Sequence, residues 1–455
     1  MLPGWWSGGC NDPSSGASFA GDGGVASPGG LSDGLEDWGM FRRAFTLALG
    51  TLALAACAVS PPPASLREGP VARSAPMPST IAPPGRGVAL LAPLSGPNAE
   101  RGRALAQAAQ LALSPPGSPR LDVRDTGGTA QGAAQAAQAA LAAGAGLIIG
   151  PLTAAETAAV APVARAAGVG VLAFTSDPAQ AQPGVWTLGI TPAQQVRRMV
   201  AAATAQGKTR FAAVLPESEF GRAMAAALAD AAASGGLGQP DIHFHDGTTS
   251  SINTTMRNVA AYASRRGPVD AQIRAARAAR TAEGRRRAEE LGRTSIPDAP
   301  MDALLLADTG ERLGTIASLL PYYDLDPPAV RVLGPAIWAA PASRADAELR
   351  GAWFAAPDPA TRAGFDAQYQ AQFGTPAPGL ADFAFDAAAI ARVLAAESGY
   401  SAAALTRPEG FAGVNGVFAL QPGGQVRRAL ALFEIRRGRA EMVEPAPDAV
   451  GTPGT

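Results

Sequence analysis

The chain has 455 residues, 47% hydrophobic and 16% charged, which is too apolar for a disordered or nucleic-acid-coating protein and long enough for two or three domains. Its 37 basic and 38 acidic residues leave a net charge of −1, so no global field favours a polyanionic partner. Two cysteines and two histidines exclude a disulfide scaffold and a zinc ribbon or finger.

Residues 1–39 are rich in Gly, Ser and Asp without helical or strand period, and read as disordered or as an over-extended start with Met40 as the initiator. Arg42 and Arg43 then precede an apolar run from Ala44 to Ala56, 13 residues long. A bilayer core of about 30 Å needs a longer helix, whereas a signal-peptide core has this length. The run closes on Leu54-Ala55-Ala56-Cys57, which resembles the lipobox of bacterial lipoproteins. That resemblance implies a signal peptide over 40–56 and lipidation of Cys57 as the first mature residue. Ala58 stands where an aspartate would signal inner-membrane retention, so the expected location is the periplasm, anchored by lipid, with the outer membrane favoured. The Pro/Ala-rich residues 57–86 read as a tether, and Cys10 lies upstream of the cleavage point.

From Gly87 the chain alternates short apolar runs with Ala-rich amphipathic stretches. Strands are predicted at Val88–Ala92, Leu121–Arg124, Leu147–Ile149 and Val169–Phe174, with helices at Glu100–Leu113, Ala130–Ala143 and Glu156–Ala167. A second set has helices at Ala193–Ala205, Gly221–Ala233 and Glu311–Leu320. Its strands fall at Phe211–Leu215, Ile242–His245, Ala303–Ala307 and Val330–Gly334. The cycle predicts an α/β protein of two lobes, each a mostly parallel sheet flanked by helices. Pro359–Phe373 and Leu380–Ala396 read as consecutive helices, and Val414–Leu420 and Val426–Ile435 as a hairpin about Gln421-Pro422-Gly423-Gly424. The expected division is 87–192 with 355–405 in one lobe, 193–354 with 406–437 in the other, and a disordered tail over 438–455.

Residues 264–293 interrupt the second lobe with nine arginines against four acids. A solvated helix is the favoured reading, an anionic docking surface the alternative. Nucleic acid is not an expected partner, because no aromatic platform interleaves the arginines.

Catalytic motifs are scarce. Gly207-Lys208-Thr209 lacks the upstream glycine of a phosphate loop, since Ala202 stands there. Lys208 is the only lysine and has Ala205 three residues before it, which excludes an S-x-x-K nucleophile pair. His243 and His245 share one face of a strand beside Asp246, but without a distant third ligand they are read as ordinary polar residues. No enzyme activity, catalytic residue, metal or cofactor is therefore expected.

Ligands of open α/β sheets bind beyond the carboxyl ends of strands, where helix N-termini present unpaired N–H groups. Those positions hold Pro93-Leu94-Ser95-Gly96, Gly150-Pro151-Leu152-Thr153, Phe174-Thr175-Ser176-Asp177 and Ala307-Asp308-Thr309-Gly310. The candidate cleft residues in these loops are Ser95, Leu152, Thr153, Thr175, Ser176, Asp308 and Thr309; helix capping is the competing role for each hydroxyl and carboxylate. Asp308 is the candidate acceptor for an ammonium, with capping of the helix at Glu311 as its alternative.

"VALLAPLSGPNAERGRALAQAAQLAL", "LIIGPLTAAETAAVAPVARAAGVGVLAFTSD" and "FAAVLPESEFGRAMAAAL" resemble the type I periplasmic-binding fold of leucine/isoleucine/valine-binding proteins, over nearly all of 86–437. "MDALLLADTGERLGTIASLLPYYDLDPPAVRVLGPAIW" and "GVNGVFALQPGGQVRRALALFEIRRG", with the lipobox, are similar to the penicillin-binding protein activator lipoproteins, a branch of that fold. Fuller members of that branch carry a helical-repeat domain first; here a tether precedes Gly87. The first resemblance implies a small amino-acid-like ligand and an ABC importer permease as partner. The second implies a peptidoglycan synthase, that is, a penicillin-binding protein. Two departures from the amino-acid binders disfavour a zwitterion. Leu152-Thr153-Ala154-Ala155 carries a single hydroxyl in the loop that holds the ligand carboxylate, and Phe220 stands where those proteins place a tyrosine.

Overall fold

The computed structural model describes residues 87–340, 349–397 and 399–451. The first lobe opens with β1 (Gly87–Ala92), α1 (Ala99–Ala112), β2 (Leu121–Asp125), α2 (Ala130–Ala142) and β3 (Ala145–Ile149). It continues with α3 (Ala154–Ala166), β4 (Gly170–Ala173) and a short β5 (Val185–Thr187). These strands form an all-parallel sheet in the order β2-β1-β3-β4-β5. Alternate residues of β1 feed different cores: Val88, Leu90 and Ala92 join one cluster, and Ala89 and Leu91 the opposite one. That two-sided burial is what continuous apolar strands of a parallel sheet require.

The second lobe begins with α4 (Pro192–Ala205), β6 (Phe211–Pro216), α5 (Glu219–Ser234), β7 (Asp241–His245) and α6 (Thr249–Val259). An inserted helical pair, α7 (Tyr262–Ala278) and α8 (Ala282–Gly292), leads to β8 (Ala303–Leu306), α9 (Gly310–Tyr322), β9 (Arg331–Gly334) and β10 (Trp353–Ala356). The chain then makes α10 (Pro359–Phe373), α11 (Ala381–Glu397), the short α12 (Ala402–Leu405), β11 (Phe411–Gly413), β12 (Gly416–Leu420) and β13 (Val426–Arg428). It ends with β14 (Ala431–Arg436) and β15 (Arg439–Glu444). The second sheet runs β15-β14-β10-β9-β8-β6-β7, parallel from β10 to β7 and antiparallel at β14 and β15. It too is covered on both faces, with Val214 and Leu304 in one core and Ala213 and Leu305 in the other.

Two glycines set how closely the helix after the first strand of each lobe, α1 or α5, approaches that strand. A Cβ on Gly102 of α1 would meet the Pro93 carbonyl oxygen at 1.9 Å, and one on Gly221 of α5 would meet that of Pro216 at 2.0 Å. Both helices therefore need a residue without a side chain at the point of contact.

The tail departs from the expected division. Trp353–Ala356 is a strand of the second sheet, so the return to the first lobe follows Ala356 rather than residue 354. Residues 406–428, assigned by the sequence to the second lobe, pack on the first: Val414, Phe418, Leu420 and Val426 lie in its core. The apolar run 426–435 is not one strand. Its first part, β13, pairs with β12, and its second part, β14, pairs with β10 in the other sheet, with the crossing at Ala429 and Leu430. A hydrophobic run long enough for one strand is also long enough for two when it passes between two cores. Arg439–Glu444 adds an edge strand within the segment expected to be disordered. β5, α6 and β10 are elements the sequence reading did not predict.

The chain thus passes between sheets three times, at 188–191, 357–358 and 429–430. The first passage leaves the carboxyl end of β5, the second leaves that of β10, and the third enters β14 where Ala431 pairs with Ala356. The carboxyl edges of both sheets therefore border the crossovers.

Candidate functional site

At the first-lobe edge, Asp125 organises the loop after β1. Its carboxylate accepts the N–H groups of Leu94 (2.8 Å), Ser95 (3.2 Å) and Gly127 (2.8 Å). Hydrogen bonding from the Ser95 side chain, opposed by burial and reinforced by those backbone N–H groups, holds the Asp125 carboxyl below the usual carboxylate range. Ser95 is exposed but already bonded to this carboxylate.

The loop after β3 is closed on itself. Thr153 caps α3: its hydroxyl accepts from the N–H of Glu156 and donates to Glu156 Oε2 (2.8 Å), while the Thr153 N–H donates to the same oxygen (3.0 Å). Thr126 donates to the other oxygen of Glu156, which is fully buried. The capping box thus engages the single hydroxyl of the loop, and Leu152 lies in the core cluster. After β4, the buried Thr175 hydroxyl accepts the N–H of Asp177 at 3.0 Å, and Ser176 is exposed.

At the second-lobe edge Phe220 is exposed at the start of α5. Asp308 is buried and its carboxylate is occupied. One oxygen lies 3.0 Å from His245 Nε2, and the other accepts from Arg312 Nε at 3.2 Å. The Gly247 N–H donates to His245 Nδ1 at 3.2 Å, so Nε2 carries the ring proton and donates to Asp308. The Asp308 carbonyl accepts from Trp338 Nε1 at 3.0 Å. Neither expected role of Asp308 is seen: it is compensated internally and does not cap α9. Thr309 stands at the cap position of α9 without a side-chain cap bond. His243, weighed with His245 as a metal ligand, has its Nε2 2.9 Å from an Asp241 carboxylate oxygen. Among the described residues no group of three His, Cys, Asp or Glu side chains is placed to hold a metal ion.

The structure sets these residues along two sheet edges, but no hydrogen bond or ion pair among the described residues joins the first-lobe candidates to Phe220, Asp308 or Thr309. Two concavities are present, the larger of which adjoins the first-lobe edge at Asp125, Thr126 and Gly127. An open groove of about 640 Å3 crosses the β2 edge beside Asp122, Arg124 and Gln135, and a smaller hollow of about 170 Å3 is lined by Gly168, Gly184, Trp186, Tyr400 and Leu405.

Sequence reasoning missed a buried charge cluster beside the crossovers. Arg428 in β13, fully buried, donates to the Leu188 carbonyl of the first crossover at 3.1 Å and lies 4.6 Å from the Phe418 ring centre. Asp386 in α11 accepts the Val414 N–H at 2.7 Å, and burial pushes its carboxyl up to about 7 against the pull of Arg428. One turn earlier Asp382 meets Arg362 of α10 at 3.0 Å and the side-chain amide of Asn415. The available signal was two aspartates four residues apart on the buried face of an otherwise Ala/Phe/Ile helix.

This architecture, two α/β lobes joined by three crossovers with loops gathered at the carboxyl edges, defines a two-lobed binding-protein fold. The periplasmic binding protein family matches residues 87–440, and the chain belongs to it. A search of curated proteins finds no match by sequence. Among solved structures, a branched-chain amino acid ABC transporter protein from Rhodospirillum rubrum is similar at 17% identity and a TM-score of 0.58, covering 78% of this chain and 99% of that one. The C-domain of Haemophilus influenzae LpoA, described as a regulator of PBP1A, is similar at 15% identity and a TM-score of 0.55, covering 78% and 99%. Full-length LpoA from the same organism is similar at 16% identity and 0.55; 79% of this chain aligns with 59% of that longer protein. At these identities the likeness concerns the fold.

Proposed function

We propose that the chain is a non-enzymatic lipoprotein of the cell envelope, anchored in the periplasm through Cys57, with the outer membrane favoured. In this reading it contacts a peptidoglycan synthase of the penicillin-binding class and regulates it. One observation carries the proposal: the polar groups best placed to anchor a zwitterion are bonded within the protein. Asp308 is compensated by His245 and Arg312, and the Thr153 hydroxyl is held by Glu156. Admitting an amino acid would require breaking such bonds, at about 1–3 kcal/mol per group left unpaired. The likeness to a domain described as a regulator of PBP1A supports the same reading. Pull-down from solubilised envelopes tests it: recovery of a penicillin-binding protein is the expected result, and its absence counts against the role.

The second reading is the solute receptor of an ABC importer for amino acids or amides. The full-length match to the Rhodospirillum protein favours it. Ser95, Thr175, Ser176, Phe220 and Thr309 would then line the ligand. Titration calorimetry with a panel of amino acids separates the two, because micromolar affinity for any of them supports the receptor.

A further inference from the structure

The helical pair α7–α8 follows α6, which starts after the carboxyl end of β7, so it lies at the opposite edge of the second sheet from the crossovers. Its base is fixed there by Arg265, which is buried and donates to the carbonyls of Pro297 (2.8 Å), Ala260 (3.1 Å) and Tyr323 (3.2 Å). Ile273, Ala288 and Leu291 hold the two helices to each other as a separate cluster. Gly284 lets them approach closely, since a Cβ there would meet the Ala276 carbonyl at 2.4 Å.

The remaining arginines serve none of this packing. Arg266 pairs with Asp270 and Arg287 with Glu290. Arg274, Arg277, Arg280, Arg285, Arg286 and Arg293 are exposed, and among the described residues none of the six side chains has an ion pair or hydrogen bond. Five of them crowd the turn between α7 and α8, where Glu283 is the only acid between 274 and 286. Like charges so close repel one another, and the chain as a whole, at net charge −1, does not need them for solubility.

We propose that the tip of the α7–α8 pair docks on anionic phospholipid headgroups at a membrane surface. The tip belongs to a helical pair held together by a cluster of its own, separate from the cores of both sheets. Its apolar residues face inward to glue the helices, so it lacks the desolvated apolar centre that a stable protein interface is built around. Contact with headgroups needs only cationic side chains near the surface, and guanidinium forks match phosphate oxygens. The proposal goes beyond the regulatory reading and does not depend on it. On the Cys57 reading the chain is held at a membrane surface, where headgroup charge is available to the tip.

Hydrogen exchange on the full chain tests this. On vesicles of phosphatidylglycerol and phosphatidylcholine at about 1:2, amides of 262–293 should exchange at least about tenfold more slowly than on pure phosphatidylcholine. Salt at about 0.5 M should remove the difference. R274Q/R277Q/R280Q/R285Q/R286Q should lose it, and the matching five-lysine variant should keep most of it, which controls for folding of the pair. Equal exchange on both vesicles would overturn the proposal, as would slowing that survives the glutamine substitutions. So would protection on neutral vesicles that appears only with added envelope proteins or cell-wall fragments.

Discussion

Arg428→Met removes the cation from the cluster beside the crossovers while keeping a flexible apolar side chain of similar reach. In the native protein Arg428 is fully buried and compensated by Asp386 and Asp382, and burial lowers its own pKa. Deleting one member of a buried pair costs about 3–5 kcal/mol when the other is left charged. Asp386 makes that loss depend on pH. Its folded pKa of about 7 lies above the model-peptide 3.8, so the native state binds a proton more tightly than the unfolded state. The stability this contributes is complete below pH 3.8 and is lost as pH rises to 7, about 4 kcal/mol in all, with no further slope above. Without Arg428 only the Val414 N–H and Arg362 still favour the carboxylate, so the folded pKa rises further. The variant should keep losing about 1.4 kcal/mol per pH unit above pH 7, where the parent is flat. Urea unfolding followed by circular dichroism at pH 5.5, 7 and 8.5 measures both quantities. Adding Asp386→Asn should abolish the extra slope. A loss under about 1 kcal/mol at pH 8.5, with the slope unchanged, would refute the account of this cluster.

Other expectations are more local. Asp308→Asn should destabilise the fold by about 1–3 kcal/mol, because His245 and Arg312 lose a buried anionic acceptor. Paired with His245→Phe, the effects should combine to less than their sum in a double-mutant cycle, and strict additivity would sink the coupling. Gly102→Ala forces a methyl onto the Pro93 carbonyl and should cost about 1–3 kcal/mol in urea, whereas Gly238→Ala, with open space around it and no positive φ, should show no such loss. For the anchor, which lies outside the described residues, Cys57→Ser should move the protein from the membrane to the soluble fraction on sedimentation. Unchanged sedimentation would refute lipidation.

The strands of both parallel sheets were legible because burial on both faces demands unbroken apolar runs, and Val88–Ala92 or Ala303–Leu306 satisfy it without ambiguity. The tail was less so. Val426–Arg428 and Ala431–Arg436 read as one run, since composition does not mark which of two cores a side chain enters. Of the candidate site, chain position told which residues stand at strand ends, but not what they bond. Thr153 and Glu156 at capping-box spacing signalled internal bonding. Asp308 gave no such warning, because His245 lies 63 residues away and its pairing depends on β7 and β8 flanking β6. The electrostatic coupling of Asp386 to Arg428, 42 positions apart and on two elements, was invisible for the same reason.

Any bending between the lobes must be absorbed in the three crossovers, and side chains already tie them down. Gln194 of α4 donates to the Val426 carbonyl at 2.7 Å, linking a second-lobe helix to the strand packed on the first lobe. Arg198, one turn on, donates to the Leu430 carbonyl at 2.8 Å in the third crossover, and Arg428 holds Leu188 in the first. The Gln194 bond is buried, worth about 1 kcal/mol intact and more if the carbonyl were left unpaired. Gln194→Ala removes the tie, and with it the Thr191 N–H bond that closes the cap of α4. It should speed hydrogen exchange at the amides of Val426 to Ala431 several-fold while leaving β1 and β8 unchanged. If exchange in that crossover is unaltered, the hinge is set by the cores alone, and the tie between α4 and β13 does not limit it.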